Sequence, residues 1–511
     1  MHEKGPERLP EETFEQHYAD NRSVASRRRI EQQQSRKTMM NIKESLKKTT
    51  LERPLKYLWG KYLISLPEGK RFGEKYLEIK KLIKDTEFWS KDQLDNWQLH
   101  ELKKIINHCY KCVPYYKELF VEHGINPHNI KYLEDIKKIP FLTKDIINNN
   151  KNRLIAENFP KKHLEYGTTG GSTGIPMGFY YDKRIHLAIE RAFMTNQWER
   201  IGYKYRDKCV VLRGNVVKNI KKGHKYWFMD SSNNRLIMSS YHLADENMPL
   251  YIKKIREFKP LYIQAYPSAL YLLVAYMKNN GEEPFKSVKG ILCGSENLYD
   301  WQRNLFTETL KTKVYSWYGH SERVCLAGEC ERSSYYHAFP QYGFTELVND
   351  QNEWCKHEGE KGEIVATGFW NYAFPLIRYR TQDIAVHTNI TCPCERNYLL
   401  IKNIEGRLQE YVIGKNNERI TLTALIFAQH FNAFQKIKTM QLLQKRKGEV
   451  DVLIVENDIM KDEDYEEITN KMKTASDFSL KVNVKITDEI PRTKSGKHSF
   501  LIQKLPIEIG D

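Results

Sequence analysis

The chain has 511 residues, 40% hydrophobic and 12% aromatic, which excludes a mainly disordered protein and exceeds what one ordinary core holds. Formal net charge is +16, from 81 Lys+Arg against 65 Asp+Glu. The basic residues are spread along the whole chain, so the field suits a phosphate-bearing substrate better than a nucleic-acid or membrane footprint, and no nucleic acid is expected as partner.

Residues 1–38 hold Arg27-Arg28-Arg29 and Gln32-Gln33-Gln34 with almost no aliphatic pattern, and read as a basic, disordered extension. Met39-Met40 opens a more regular segment and is a second candidate start. The N-terminus has no apolar signal core, and the longest apolar run, Leu270 to Met277, falls far short of the ~20 residues that span a bilayer. No transmembrane segment and a cytoplasmic location are therefore expected. In that compartment the nine cysteines should be reduced thiols or metal ligands.

Residues 41–160 read as mainly helical. Leu99, Leu102, Ile105 and Ile106 form one helical stripe, Pro114-Tyr115-Tyr116 breaks it, and Thr143-Lys144-Asp145 opens a capped helix. Cys109 and Cys112 lie on that helical stretch and read as core. Through residues 161–405, strand-like runs (Val210–Leu212, Leu261–Gln264, Gly290–Cys293, Glu363–Thr367) alternate with helix-like runs (Lys253–Phe258, Ser268–Lys278), the signature of an α/β architecture. After Gly406 the texture changes: Glu449–Val455 and Ser479–Ile486 read as strands and Asp462–Lys473 as an amphipathic helix, a small α+β unit.

The loudest signal is Tyr166-Gly167-Thr168-Thr169-Gly170-Gly171-Ser172-Thr173-Gly174-Ile175-Pro176. Glycines let backbone amides close on a phosphate, and the hydroxyls add donors. It is neither a Walker A loop, since no Lys follows the last glycine, nor a dinucleotide fingerprint. Alone, it reads equally well as a flexible turn.

Gly171-Ser172-Thr173-Gly174-Ile175-Pro176 resembles the phosphate loop of adenylate-forming acyl-activating enzymes. Gly294-Ser295-Glu296, Tyr318-Gly319-His320-Ser321-Glu322, Tyr379-Arg380-Thr381-Gln382-Asp383, Gly406-Arg407-Leu408-Gln409-Glu410 and Pro491-Arg492-Thr493-Lys494-Ser495-Gly496-Lys497 follow in that superfamily's order. The Tyr-Gly-His-Ser-Glu form is closest to the phenylacetate–CoA ligase family. Glu322-Arg323 with Ala327-Gly328-Glu329-Cys330-Glu331 is similar to its CapK-like branch, found with polysaccharide biosynthesis.

The resemblance implies a large α/β domain over 39–405 that binds ATP and acid, then a small mobile α+β domain over 406–511 that carries the catalytic lysine. It implies that Gly171, Ser172, Thr173 and Gly174 hold the β- and γ-phosphates. Gly294, Ser295 and Glu296 edge the adenine pocket, and Tyr318 packs on the base. Ser321 and Glu322 reach the α-phosphate and a Mg²⁺. Asp383 accepts the ribose hydroxyls, Arg407 lies at the domain junction, and Gln409 is the hinge. Lys497 enters from the small domain to stabilise developing charge. Such a site joins two anions, a carboxylate and ATP, so positioning and cationic neutralisation are its main needs.

Three departures stand out: Met177 in place of a common Lys, Gln382 in place of a common Gly, and Gln409 in place of a hinge Asp or Lys. The last bears on the domain rotation that a thioester step requires. Tyr241, Tyr266, Pro267, Ser268 and Ala269 fall where relatives build the acid-binding wall; they equally suit core positions between a strand and its helix.

Some relatives hold a structural zinc on a Cys…His…Cys-x-Cys set, and Cys330, His337, Cys392 and Cys394 match that order. Four unrelated side chains fit the same letters. The reaction expected is activation of a small-molecule carboxylic acid by ATP and Mg²⁺, followed by transfer to coenzyme A. Alternatives are acyl transfer to a sugar amine or hydroxyl, and a non-catalytic nucleotide-binding assembly protein. The acid, the acceptor and the oligomeric state are not specified by sequence.

Overall fold

The computed structural model describes residues 52–505 except 169–176, 214–225, 241, 244, 408–410, 417–418, 427–432, 434–435, 457, 477 and 491–498, and for a few strand and helix residues, Arg407 among them, the backbone alone. The expected extension at 1–38, with its candidate start at Met39-Met40, lies outside them. The chain divides into two units, up to Ser65 and from Leu66. The first contributes helix α1 (Glu52–Ser65) to the described residues.

The second unit opens with helices α2 (Glu68–Phe72), α3 (Glu74–Thr86), α4 (Lys91–Cys112), α5 (Pro114–Glu122) and α6 (Lys144–Asn150). The caps follow from local chemistry. The Ser90 hydroxyl accepts from Gln93 N while the Gln93 side chain accepts from Ser90 N, a capping box that starts α4. Val113 ends α4 and Pro114, lacking a donor, starts α5. The Thr143 hydroxyl accepts from Ile146 N at 3.3 Å to start α6. The predicted stripe buries Leu102, Ile105 and Ile106, with Cys109 beside them in the core.

Strands β1 (Leu164–Thr168) and β2 (Gly178–Asp182) pair as a hairpin, with Thr168 opposite Gly178. Then follow α7 (His186–Glu199), β3 (Cys209–Leu212), β4 (Trp227–Asp230), β5 (Arg235–Met238), α8 (Met248–Phe258), β6 (Tyr262–Ala265), α9 (Pro267–Asn279), β7 (Gly290–Gly294), α10 (Asp300–Leu310) and β8 (Val314–Gly319). Strands β9 (Leu326–Gly328), β10 (Tyr336–Ala338), β11 (Gly343–Val348), β12 (Lys361–Gly368), β13 (Tyr379–His387) and β14 (Leu399–Arg407) complete a 12-stranded sheet ordered β11-β12-β13-β14-β10-β9-β8-β7-β6-β3-β5-β4. The run β8-β7-β6-β3-β5 is parallel, and the strands beside it are antiparallel.

Both faces of the parallel run are covered, so its central strands β3, β6 and β7 are buried throughout. Alternation still sorts the side chains. Val210, Leu212, Ile263, Ala265, Ile291 and Cys293 join the core under α8, α9 and α10. Cys209, Val211, Tyr262 and Leu292 join the opposite core, under α7 and α3. A third core packs α4 and α5 on the antiparallel half.

The remainder comprises β15 (Tyr411–Ile413), β16 (Arg419–Thr421), α11 (Leu422–Leu425), β17 (Ile437–Arg446), β18 (Glu449–Glu456), α12 (Asp462–Ala475), β19 (Lys481–Ile486) and β20 (Leu501–Gln503). Its four-stranded sheet, β19-β18-β17-β20, buries Ile468 and Met472 of α12 in a separate core. This core meets the large sheet's layer at α10: Tyr299 and Trp301 pack on it, and Phe500 meets Tyr299 edge-on at 6.0 Å between centroids. The architecture is the expected one, a large α/β domain followed by a domain with a small sheet.

Candidate active site

In a parallel sheet covered on both faces, ligands sit in the crevice outside the carboxyl ends of the strands. There the ends of β3, β6, β7 and β8 carry Arg213, Tyr266, Ser295 and Tyr318 with His320. Gly294, the last residue of β7, lies so close to Trp317 that a Cβ would fall 2.6 Å from the indole, so only glycine fits. Ser295 follows at φ +65°, exposed in the crevice. The Glu296 carboxylate accepts from Ser268 N at 3.0 Å and from Ser268 Oγ at 3.1 Å, which caps the N-terminus of α9. Glu296, assigned by the sequence reading to an adenine edge, also anchors Ser268 at the start of α9.

At the end of β8, Tyr318 Oη donates to Asp383 Oδ2 at 2.7 Å. Burial, reinforced by the Asp383 charge, pushes the phenol well above its ordinary range, so Tyr318 is a neutral donor. Asp383 is buried, in register with Arg407 across β13 and β14. Two residues beyond β8, Ser321 is exposed, and its carbonyl accepts from Tyr181 Oη. Glu322 is buried. Tyr379 Oη donates to its Oε1 at 2.8 Å, and its Oε2 lies 3.6 Å from His320 Nδ1. The His320 side chain is only 6% exposed, yet neither ring nitrogen has a hydrogen-bond partner. Arg323, at φ +56°, stacks on Tyr181 at 4.5 Å and donates to the His186 carbonyl at 2.9 Å, which holds this segment in place.

The strand that carries Asp383 is braced by ion pairs. Arg378 donates from Nη2 to Glu346 at 2.8 Å and Arg380 from Nε to Glu363 at 2.6 Å. Gln382, where a glycine is common, has φ +66°. The strain is held by its N–H donating to Glu363 Oε1 at 2.8 Å and its side chain accepting from Lys144 Nζ at 3.0 Å.

The structure thus gathers Gly294, Ser295, Glu296, Tyr318, Ser321, Glu322, Asp383 and Tyr266 along adjoining strand ends. Gly171, Ser172, Thr173 and Gly174, which connect the paired Thr168 and Gly178, lie outside the described residues. So do Tyr241, Gln409, Lys497 and the Arg407 side chain. Arg213, His320 and Tyr379 take positions in the crevice that the sequence reading did not assign. Tyr379 stood inside a quoted motif, whereas a lone arginine after a four-residue strand carries no sequence signal.

A second constellation lies on the antiparallel half. Cys330 follows β9, His337 is central in β10, and Cys392 and Cys394 come from the β13–β14 connection. All four are buried, with ligand atoms within 4.8 Å of one another. Cys330 Sγ lies 3.6 Å from Cys392 Sγ, and His337 Nε2 lies 3.1 Å from Cys394 Sγ. His337 Nδ1 is 3.0 Å from the Tyr335 carbonyl, which makes Nδ1 the donor and turns the Nε2 lone pair inward. Burial raises the Cys330 and Cys394 thiols, but hydrogen bonds more than offset it and hold both below the ordinary range. These come from His337, Ser333 and Arg332 to Cys330, and from Arg396 to Cys394. Burial pushes Cys392 up to about 11. Three thiols and one imidazole at these separations fit a tetrahedral zinc with bonds of about 2.0–2.3 Å.

A family profile described as the CapK C-terminal domain matches residues 412–504. Protein CapK of Staphylococcus aureus is 26% identical, over 84% of this chain and 92% of its own length. Phenylacetate-coenzyme A ligase of Aromatoleum evansii is 25% identical, over 82% and 96%. Among solved structures, 2-hydroxyisobutyryl-CoA ligase in the postadenylation state with R3-HIB-AMP is 17% identical and covers 82% of this chain and 91% of its own, at a TM-score of 0.64. The same enzyme in the thioesterification state gives 0.52. The chain is thus a homologue of CapK and of phenylacetate-CoA ligases, with the fold of the adenylate-forming CoA ligases.

Proposed function

We propose that this homologue of CapK and phenylacetate-CoA ligases activates a carboxylic acid with ATP and passes the acyl group to coenzyme A. In the first half-reaction a carboxylate oxygen attacks the α-phosphorus, and the bond to the β-phosphate oxygen breaks to release pyrophosphate. In the second the thiolate attacks the acyl carbonyl, and the acyl C–O bond breaks to release AMP. The observation that carries this reading is the pair of buried carboxylates, Asp383 and Glu322, each hydrogen-bonded by a tyrosine at the crevice.

Asp383 offers acceptor oxygens to a ribose diol, oriented by Tyr318. Tyr379 fixes one Glu322 oxygen and leaves the other directed at His320, suited to a Mg²⁺ that would neutralise phosphate charge. Gly171–Gly174 provide amides and hydroxyls for the β- and γ-phosphates. Lys497 is delivered by the small domain, whose Phe500 packs beside the start of α10. Gln409 is assigned to the hinge and Arg407 to the junction between a 39–405 domain and a 406–511 domain. The Cys330–His337–Cys392–Cys394 cluster is assigned to a structural zinc that ties β10 to the β13–β14 connection, and the proposal extends to a role in surface-polysaccharide assembly, which the resemblance to the CapK-like branch supports.

The test is pyrophosphate release from MgATP across a panel of carboxylic acids, with and without coenzyme A, in the wild type and in Lys497→Ala. Acid-dependent release that the substitution lowers at least about 100-fold is expected. Release independent of any acid, or undiminished in the variant, overturns the reading.

A further inference from the structure

Arg213 is the first residue beyond β3, at the far end of the same row of strand ends. Its Nη2 donates to Ser295 Oγ. Its guanidinium carbon lies 5.4 Å from the Tyr266 ring centroid and 5.2 Å from that of Trp317. Its Nε is buried with no hydrogen-bond partner, and no carboxylate lies within ion-pair distance among the described residues. Glu296, whose charge is felt at Arg213, is beyond ion-pair distance and its carboxylate is engaged with Ser268 N and Oγ. The next charge on this face is a further cation, Arg235, stacked on Trp198 at 5.4 Å, with its own Nε buried and unpartnered.

Arginine keeps its charge when desolvated, so such a group needs an anion or acceptor to offset the cost of burial. Stacking on two aromatic faces offsets part of it and fixes the plane of the fork. The donors that Ser295 leaves unused are then held in one plane for an arriving acceptor. Strands β3, β6, β7 and β8 are consecutive neighbours, and the Arg213 side chain reaches across them from the end of β3 to Ser295 at the end of β7 and the Trp317 ring of β8.

We infer that Arg213 binds a second anionic group on the acid, so that the substrate class is a small dicarboxylate or a similarly two-headed anionic acid. This rests on the proposed adenylation and specifies its substrate. One carboxylate is activated at the nucleotide end; the other is recognised by Arg213 between Tyr266 and Trp317.

The test pairs monoacids with their diacid counterparts: butyrate with succinate and glutarate, benzoate with isophthalate and terephthalate. Pyrophosphate release is measured for wild type, Arg213→Met and Arg213→Lys, with ATP binding as the check that each variant is folded. The wild type should favour at least one diacid over its monoacid partner tenfold or more in kcat/KM. Arg213→Met should collapse that ratio by about 10- to 100-fold, the worth of a charge-assisted hydrogen-bonded pair, and Arg213→Lys should restore part of it. Preference for the monoacid in every pair, or an undiminished ratio in Arg213→Met, overturns the inference. If ATP binds but no acid of either kind releases pyrophosphate, the adenylation reading has failed instead. Calorimetric binding of the diacids then decides: tighter binding to wild type than to Arg213→Met supports Arg213 as an anion site, and equal binding rejects it.

Discussion

The two polar constellations are built on opposite plans. In the cysteine–histidine cluster the ligand atoms converge within 4.8 Å, and the outer His337 nitrogen is tied to the Tyr335 carbonyl. In the crevice, Glu322 has one oxygen tied by Tyr379 and the other short of any hydrogen bond, His320 is buried with both nitrogens unused, and Arg213 has a buried donor to spare. A closed set of donors holds structure together. An open set keeps hydrogen-bonding capacity for something that arrives, and its unmet groups are tolerated because the surrounding fold is rigid.

The comparison predicts that damage to the cluster is read in stability and damage to the crevice in activity. The largest effect is expected for Cys394→Ala. Purified wild type should contain close to one zinc per chain by elemental analysis. The variant should lose it and unfold earlier, by on the order of 4–5 kcal/mol, with chelator reproducing the loss. Metal-free wild type that melts unchanged in chelator would make the four residues ordinary core.

Next comes Glu322→Gln, with a fall of about 10²–10³ in pyrophosphate release and a melting temperature at or above wild type, since a buried charge has been removed. A stability loss matching the activity loss would place Glu322 with the closed cluster instead. Tyr379→Phe should be milder, about 1–3 kcal/mol on activity, because it frees the Glu322 oxygen that Tyr379 holds and leaves the carboxylate in place. The smallest effect is a gain. Gln382→Gly relieves a left-handed backbone at φ +66° and should add about 0.5–1 kcal/mol of stability, less whatever the Lys144 contact contributes; a chemical denaturation curve reads it.

Much of this fold was legible. The helical stripe at Leu102, Ile105 and Ile106, the Thr143 cap and the strands β3, β6, β7 and β12 follow from local periodicity and capping chemistry, which act over a few residues. So do β18, β19 and α12 of the small domain. The extent of the sheet was less accessible. β9, β10 and β4 are three or four residues long, and their place depends on pairing across the chain rather than on their own composition. The site divides in the same way. Motif order brought out Tyr318, Glu322 and Asp383, and ligand order brought out Cys330, His337, Cys392 and Cys394. The Tyr318–Asp383 and Tyr379–Glu322 hydrogen bonds span strands distant in sequence, and Glu296 as the cap of α9 is visible only once Ser268 is placed against it. Arg213 is recognisable only when Tyr266, Ser295 and Trp317 arrive from three other strands.

The central claim, that an acid is activated as its adenylate, is tested most directly by isotope transfer. The acid found active in the panel is supplied with ¹⁸O in its carboxylate, together with MgATP and coenzyme A, and the nucleotide product is examined by mass spectrometry. Attack through a carboxylate oxygen followed by acyl C–O cleavage predicts AMP that carries one ¹⁸O atom, with Lys497→Ala producing little of it. Unlabelled AMP, or ADP with the label in inorganic phosphate, would contradict an acyl-adenylate intermediate.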